Sequence, residues 1–583
     1  LTDKIFQQKY CFELEKTFDD VIRRIANYIG DTSEQQEKYY LLMQAKKFFP
    51  GGRILANAHP NCKNSLFNCY CSDIGDTIWA DAEPSIYKTI LDHAITFKYG
   101  GGQGVNISAL RPKGEKIEKT GGESCGAVGF IDLLSINTGT IASGKNRRGA
   151  LMIIMKVNHP DIYEFISIKN ESIFKTLKNL KKKYKEDEKI TEAIEYFQKN
   201  RRAQYCNLSV FLSDEFMKAV INDEDFQLRW ANDDNYLFQN KGKIFRTIKA
   251  KHLWNEIIKS SYEGGEPGIL FEDTMRRTHN TEYYKPMIAT NPCSEIFGSA
   301  HFACCLGSFN LKAYVQDSKF NYDEFRNDIK TVVEFMDSVL DAGQDRHPLK
   351  EQKEENRKLR KLGIGIMGFA DVCVMLKIKY DCSKAIRLLQ TILETLRDEA
   401  YKASIDLAKE KGSFEVYDWE GYSKSAFIKS LPKELKDQIK QYGIRNSTLL
   451  AIAPTGTLSI LAECANGIEP FFSKGLVKRK TRRQQDVDFD EYIVMSKTLE
   501  ELFSDKNFPD YVVDVNDIDS AFRIKMLSVA QNFIDSGISS TINLPEKYPI
   551  TKIKELYILA WKLGLKGLTI FLKGSRLEIL KEV

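Results

Sequence analysis

Between Phe18 and Ile29 the apolar residues Val21, Ile22, Ile25 and Ile29 fall near one side of a 3.6-residue spiral, which predicts an amphipathic helix. Residues 1–50 read as a short helical region, closed by Pro50-Gly51-Gly52-Arg53, a combination that breaks a helix. Ser172 to Arg202 is helix-forming but polar, with a basic run from Lys181 to Lys185. From Phe211 to Phe271 helical and strand patterns mix. Gly363 to Leu376 is the most apolar stretch, and Asp371 interrupts it, so it is no clean membrane span. Asn446 to Ile460 reads as an apolar strand, then a Gly/Thr turn, then a helix.

A chain of 583 residues is long for one ordinary domain, yet large α/β barrels with insertions reach this size. Hydrophobic content of 43% can bury a sizeable core. A net charge of +5 creates no global field that demands nucleic acid, although local basic clusters can hold phosphates. Twelve cysteines in this length are not a small disulfide scaffold. With no signal segment or membrane span, the expected location is cytoplasmic, with reduced thiols.

The chemistry concentrates between Asn291 and Leu311. Cys293, Cys304 and Cys305 lie there, and Glu295 follows Cys293 by two residues. Asn291-Pro292 disfavours helix, which puts Cys293 at a loop tip between an amide and a carboxylate. From the residues alone such a cysteine is more often a small buried hydrophobe than a reaction centre. A zinc site is a further reading, but its paired C-x-x-C signature is replaced here by Cys69-x-Cys71 and the adjacent Cys304-Cys305.

At these residues the chain resembles the catalytic subunit of ribonucleotide reductase. Asn291-Pro-Cys-Ser-Glu295 is similar to that family's finger loop, and Ala303 to Leu311 to the strand with a redox cysteine. The likeness implies a ten-stranded α/β barrel of two parallel half-sheets, spanning 51–583, with the finger loop through its middle. It implies Cys293 as the thiyl radical, Glu295 as general base, Asn291 as a hydrogen-bond partner of the sugar, and Cys69 with Cys304 as the reducing pair. Cys304 is preferred to Cys305 because the following Leu-Gly-Ser-Phe-Asn-Leu sets the register, and Cys71 is extra. Substrate contacts are expected from Gly52, Asn68, Gly102 and the turn Pro454, Thr455, Gly456, Thr457 and Leu458. That turn is not a P-loop, because its lysine is missing. Asp76, Arg111, Lys145 and Arg148 are expected at a site for a nucleoside triphosphate that tunes specificity. The basic segment near 172–202 resembles an insertion, and residues 1–50 leave no room for the family's ATP-cone domain. Glycines 363, 365 and 368 lack the context of a dinucleotide site and read as packing.

Three classes of the family differ in how they make the radical. Where the oxygen-dependent class has a tyrosine pair, this chain reads Ile570-Phe571-Leu572, and no glycyl-radical segment is present. Ser540-Thr-Ile-Asn-Leu-Pro545 and the ending Gly574-Ser-Arg576 resemble the adenosylcobalamin-dependent class, in which cobalt arrives with the cofactor and no protein metal site is expected. The alternative is a catalytic subunit that needs a separate radical-generating subunit. No cysteine follows Cys464, so either the family's two-cysteine tail lies outside this sequence or external thiols act directly; thioredoxin, glutaredoxin or a small dithiol is the expected reductant. A homodimer is compatible with the resemblance; membrane and nucleic acid are not expected partners.

Overall fold

The computed structural model describes residues 6–582 apart from 8, 13, 80, 119, 144–146, 170–175, 177–178, 182, 185–186, 200–201, 232–240, 483–488 and 574–579. Lys145, part of the run Lys181 to Lys185 and Gly574-Ser-Arg576 therefore lie outside the described residues, as does the side chain of Arg148.

Helix α1 (Phe18–Ile29) starts with a reciprocal cap: Thr17 Oγ1 accepts from the Asp20 amide, and Asp20 Oδ2 accepts from the Thr17 amide. Val21, Ile22, Ile25 and Ile29 are all buried, as the spacing predicts, and each contributes about 1.5–3 kcal/mol by leaving water. Helix α2 (Ser33–Gln44) packs on α1. The chain then departs from the expected helix-breaking turn. Lys46 takes a left-handed conformation, and Phe48–Pro50 form strand β1. Pro50 thus ends a strand, and a short helix starts at Gly52. β1 pairs antiparallel with β7 (Cys305–Asn310), so the N-terminal region shares its core with the central sheets.

The remaining principal strands are β2 (Cys69–Ser72), β3 (Gly102–Asn106), β4 (Leu151–Lys156), β5 (Asn207–Leu212), β6 (Gly268–Phe271), β8 (Leu362–Met367), β9 (Thr541–Leu544) and β10 (Gly567–Leu572). β2 through β6 are mutually parallel, and β10 then β9 extend their sheet to seven strands, with β10 antiparallel to β6. A three-stranded sheet holds β1, β7 and β8, with β7 and β8 parallel. Isolated bridges link Tyr70 to Ala303, Ile364 to Leu450 and Ile452 to Ile538. The long helices α5 (Tyr322–Ala342) and α6 (Ser383–Lys411) pack together, and α5 lies on β7 and β8; α3 (Ile86–Lys98) and α4 (Ile131–Thr140) pack against each other. The fold is α/β with a large parallel sheet, as expected.

Alternation along the strands divides the apolar residues between two cores. Tyr70, Ile153, Val210, Ile269, Phe309 and Ile364 join the large core under the helices. Cys69, Cys71, Met152, Ile154, Phe211, Leu270, Cys304, Leu306, Ala451 and Ala453 face a second cluster. That cluster is filled by the segment Met287 to Phe302, including Ile296 and Phe297. Among the described residues, no helix is long and apolar enough to cross a membrane.

Two fully enclosed histidines make this packing sensitive to acid. Burial drives His93 down to about 3 and His279 down to about 4, so both are neutral in the fold. An unfolded chain protonates them near pH 6.5. The unfolded state therefore binds more protons, and stability falls as pH drops from 6.5 towards 4. Each histidine is expected to remove about 1.4 kcal/mol per pH unit in that window. Urea-unfolding midpoints measured from pH 7 to 5 should decline accordingly; a flat profile would contradict the burial of both rings.

Candidate active site

Short strands Ala289–Thr290 and Phe297–Gly298 pair antiparallel and present the turn between them. Within the turn, the Asn291 amide donates to the Ile296 carbonyl at 2.9 Å, and the Ile296 amide donates to Asn291 Oδ1 at 3.1 Å. Ser294 adopts φ +64°, which tightens the bend. Asn291, Pro292 and Glu295 are buried while Cys293 is exposed, so the thiol alone stands proud of a packed loop. The loop-tip placement expected from Asn-Pro is what the structure shows. Asn291 Nδ2 is buried and has no hydrogen-bond partner among the described residues.

Glycines make space for this hairpin. A Cβ on Gly104 would lie 1.7 Å from the Thr290 carbonyl oxygen, and one on Gly537 would lie 2.5 Å from that of Ser294. A Cβ on Gly363 would meet Leu306 at 2.6 Å and Ile296 at 3.0 Å, which bears out the packing reading of the glycine-rich run. The hairpin's carbonyls find donors in the surrounding strands and loops. Asn106 Nδ2 donates to Ile288 at 3.0 Å, Lys361 Nζ to Phe297 at 2.9 Å, and the Gly537 amide to Glu295 at 2.7 Å.

The reducing thiols expected from the sequence come together by backbone pairing. The Cys304 amide donates to the Cys69 carbonyl at 2.9 Å, and the Cys71 amide to that of Phe302 at 3.4 Å. This register sets Cys69 opposite Cys304, at a Cα separation of about 5.5 Å, within disulfide range. Cys71 is diagonal to Cys304, at roughly 7–8 Å, and outside that range. Cys305 points the other way, into the core beneath α5, where its thiol faces the Met336 carbonyl. Burial raises Cys304 well above the ordinary thiol range, and neighbouring Cys69 and Glu295 add to the effect. Cys304 therefore holds its proton.

The hairpin lies against the same residues. A Cβ on Gly102 would sit 3.1 Å from Pro292 Cγ and 3.3 Å from Cys69 Sγ. Asn68 is next to Cys69; its amide donates to Cys304 and its carbonyl accepts from Gly102. Gly51 donates to Leu306 at 2.7 Å, and a Cβ on Gly51 would lie 3.4 Å from Asn68 Oδ1, whereas one on Gly52 would meet Tyr10. The turn Pro454 to Leu458 leaves the segment 449–453. There the Ile452 amide donates to Gly537, the residue bound to Glu295. Pro454 is exposed, Gly456, Thr457 and Leu458 are half-buried, and Thr455 Oγ1 donates to Asn466 Oδ1 at 2.9 Å.

The residues expected at an effector site are only partly described. Arg111 Nε donates to Asp76 Oδ2 at 2.6 Å and its amide to Oδ1 at 2.9 Å, so these two are bound to each other. Arg148 lies in the pair Arg147–Arg148 with Ala142–Ser143. Among the described residues no cluster of three or more His, Cys, Asp or Glu is arranged to hold a metal ion.

Of the buried lysines Lys156, Lys361 and Lys566, the last two lie beside the hairpin, and none of the three stands out in the sequence. Burial lowers Lys361 to about 8 and Lys566 to about 7. Their only signal is charge at the edge of an apolar strand, the pair Arg360-Lys361 before Leu-Gly-Ile and the lone Lys566 in Gly564-Leu-Lys-Gly-Leu. Such a charge more often faces water.

Residues 67–571 match the family described as ribonucleotide reductase, barrel domain. The chain is 30% identical to the vitamin B12-dependent ribonucleoside-diphosphate reductase of Thermoplasma acidophilum, covering 97% of this chain and 68% of that protein. It is 29% identical to the enzyme of that name from Mycobacterium tuberculosis, over 94% of this chain and 73% of that one. Identity to the ribonucleoside-diphosphate reductase large chain of Encephalitozoon cuniculi is 26%, over 94% and 68%.

The backbone register makes a prediction independent of turnover. Mild oxidation with diamide is expected to join Cys69 to Cys304. Cys71 and Cys305 should remain alkylatable after denaturation. Peptide mapping by mass spectrometry reads the linkage, and a Cys71–Cys304 bond would refute the register.

Proposed function

The chain belongs to the ribonucleotide reductase family, and from that premise we propose that it reduces ribonucleotides to 2′-deoxyribonucleotides with adenosylcobalamin as cofactor. The substrate we favour is a ribonucleoside diphosphate, the one named for the relatives in Thermoplasma and Mycobacterium. The observation that carries the reading is the convergence of Asn291, Pro292, Glu295, Cys69 and Cys304 around Gly102 and Gly537. The alternative, dependence on a separate radical-generating subunit, is less favoured. The relatives' names specify vitamin B12, and Phe571 offers no phenol to carry a radical inward.

The finer architecture is part of the proposal. The isolated bridges Tyr70–Ala303, Ile364–Leu450 and Ile452–Ile538 join β2 to the segment before β7, β8 to the 449–453 segment, and that segment to the one before β9, which supports a closed ten-stranded barrel. The hairpin packed on Gly104 and Gly537 supports a finger loop within it.

The exposure of Cys293, whose neighbour Ser294 lies against Gly537, fits the approach of a bulky cofactor to one thiol. When bound, adenosylcobalamin supplies a cobalt–carbon bond whose homolysis starts radical chemistry. Cys293 gives up its hydrogen atom and then removes the 3′ hydrogen of the ribose. Glu295 takes the 3′-hydroxyl proton. Asn291 Nδ2, buried and without an acceptor among the described residues, donates to the sugar oxygen as charge develops. The 2′ carbon–oxygen bond breaks and the hydroxyl leaves as water, with Cys69 and Cys304 supplying two electrons and two protons as they form a disulfide. Glu295 returns its proton to the 3′ oxygen as the electrons arrive, and Cys293 returns the 3′ hydrogen. Keeping Cys304 protonated by burial suits this delivery.

Gly52, Asn68, Gly102 and Pro454 to Leu458 would hold the sugar and phosphates, the last through amides at a helical turn. Asp76 and Arg111, with Lys145 and Arg148, would form the effector site. Thioredoxin, glutaredoxin or a small dithiol would restore the disulfide, and buried reducing thiols suit a cytoplasmic setting. A second copy of the chain would cover α3 and α4, which leave Tyr87, Leu91, Leu133 and Ile136 exposed.

Anaerobic incubation of this chain with a ribonucleoside diphosphate, adenosylcobalamin and a dithiol is expected to yield deoxyribonucleotide without a second protein. Cys293→Ser should reduce product to background while nucleotide binding persists. A requirement for another subunit would defeat the cofactor assignment. For the dimer, Ile136→Asp should weaken self-association at least about tenfold, on the order of 1.4 kcal/mol, in sedimentation equilibrium; an unchanged assembly would exclude α4 from the interface.

A further inference from the structure

Lys566 is buried, yet the reductive mechanism gives it no task. Its ammonium donates to three successive main-chain carbonyls, those of Ile534 at 3.1 Å, Asp535 at 2.7 Å and Ser536 at 2.7 Å. Only a protonated lysine offers three donors on one atom, so these carbonyls, with Asp535, favour the charge that burial opposes. The next residue in the turn is Gly537, whose amide holds the Glu295 carbonyl at 2.7 Å. The same ammonium lies 5.1 Å from the ring centroid of Phe297, within the range of a cation–π attraction. One charge thus touches both flanks of Glu295, the turn bonded to it and the ring two residues beyond it.

The clamp extends to the substrate side. Asp535, in the stapled turn, accepts from the amides of Leu449 at 2.8 Å and Leu450 at 2.9 Å. Those residues begin the segment that runs into Pro454 to Leu458. The Lys566 backbone is itself anchored, since its carbonyl accepts from the Phe271 amide at 2.9 Å.

We propose that Lys566 is a positioning residue, an ammonium clamp that sets the Cys293–Glu295 loop at a fixed depth relative to the 449–458 segment. The proposal rests on the ribonucleotide reductase reading. Lys566 touches neither thiol nor substrate, so its loss should misplace the loop and leave nucleotide affinity intact. A displacement of about 1 Å can cost roughly 100-fold in rate.

The test uses the full chain with adenosylcobalamin, a dithiol and the ribonucleotide that wild type reduces best. Lys566→Met is expected to lower kcat about 100-fold with KM changed less than about threefold. Lys566→Arg, which keeps the charge and several donors, should recover part of kcat. Should Lys566→Met fail to fold, Gly537→Ala replaces it: a Cβ there meets the Ser294 carbonyl and shifts the loop without altering any charge. It should show the same fall in kcat at near-constant KM. An active wild type beside a folded variant with unchanged kcat, or with only KM raised, overturns the positioning role alone. A wild type that reduces no ribonucleotide overturns the functional reading, and the clamp's purpose with it.

Discussion

Enclosing a hairpin between sheets requires that its backbone lie against other backbones, and the rest of this structure depends on that constraint. Thr290 lies against Gly104, Ile296 against Gly363, and Ser294 against Gly537. A methyl group at Gly104 or Gly537 would overlap a carbonyl oxygen. Close approach alone is insufficient, because each enclosed carbonyl also needs a donor. Asn106, Lys361 and the Gly537 amide supply donors from separate parts of the chain. The loop's position is therefore defined on several sides before any ligand arrives.

Two successive cysteines show how the same backbone separates roles. Cys304 and Cys305 are chemically identical, but alternation sends one to the second cluster and the other beneath α5. Across from them, Cys69 and Cys71 share a face, and pairing register decides which is opposite Cys304. A shift of one residue would exchange Cys305 for Cys304 at the site. β1, paired with β7 from Phe48 to Pro50, helps hold that register from the N-terminal side.

Charges enclosed in the fold serve to hold backbone in place. Lys361 and Lys566 are enclosed, and burial alone would favour their neutral forms. Each has a task that a hydrophobic side chain could not perform, because each donates to main-chain oxygens beside the hairpin. A buried ion that links segments distant in sequence contributes geometry more than net stability. The Lys156–Glu272 pair, at 2.9 Å, ties β4 to the helix after β6 in a similar way.

Much was legible in the residues themselves. The amphipathic face of α1, the loop tip at Cys293 and the packing role of the glycine-rich run arise from local periodicity and turn chemistry. So does family membership, because Asn291-Pro-Cys-Ser-Glu295 and Ala303 to Leu311 are contiguous motifs. By contrast 446–460, which reads as a strand, has only isolated bridges at Leu450 and Ile452 before its turn and short helix. Other features lay beyond reach. Pro50 read as a helix breaker but ends a strand, since the pairing partner that makes Phe48–Pro50 extended is β7, more than two hundred residues away. Asp76 and Arg111 were each assigned to a ligand, but folding also binds them to each other. Lys361 and Lys566 look like ordinary surface lysines until distant carbonyls converge on them. Local sequence determines which atoms can react and which bends the backbone favours, because those depend on neighbours along the chain. Which thiol faces which, and what holds the loop, depended on register and burial, properties that exist only once remote segments meet.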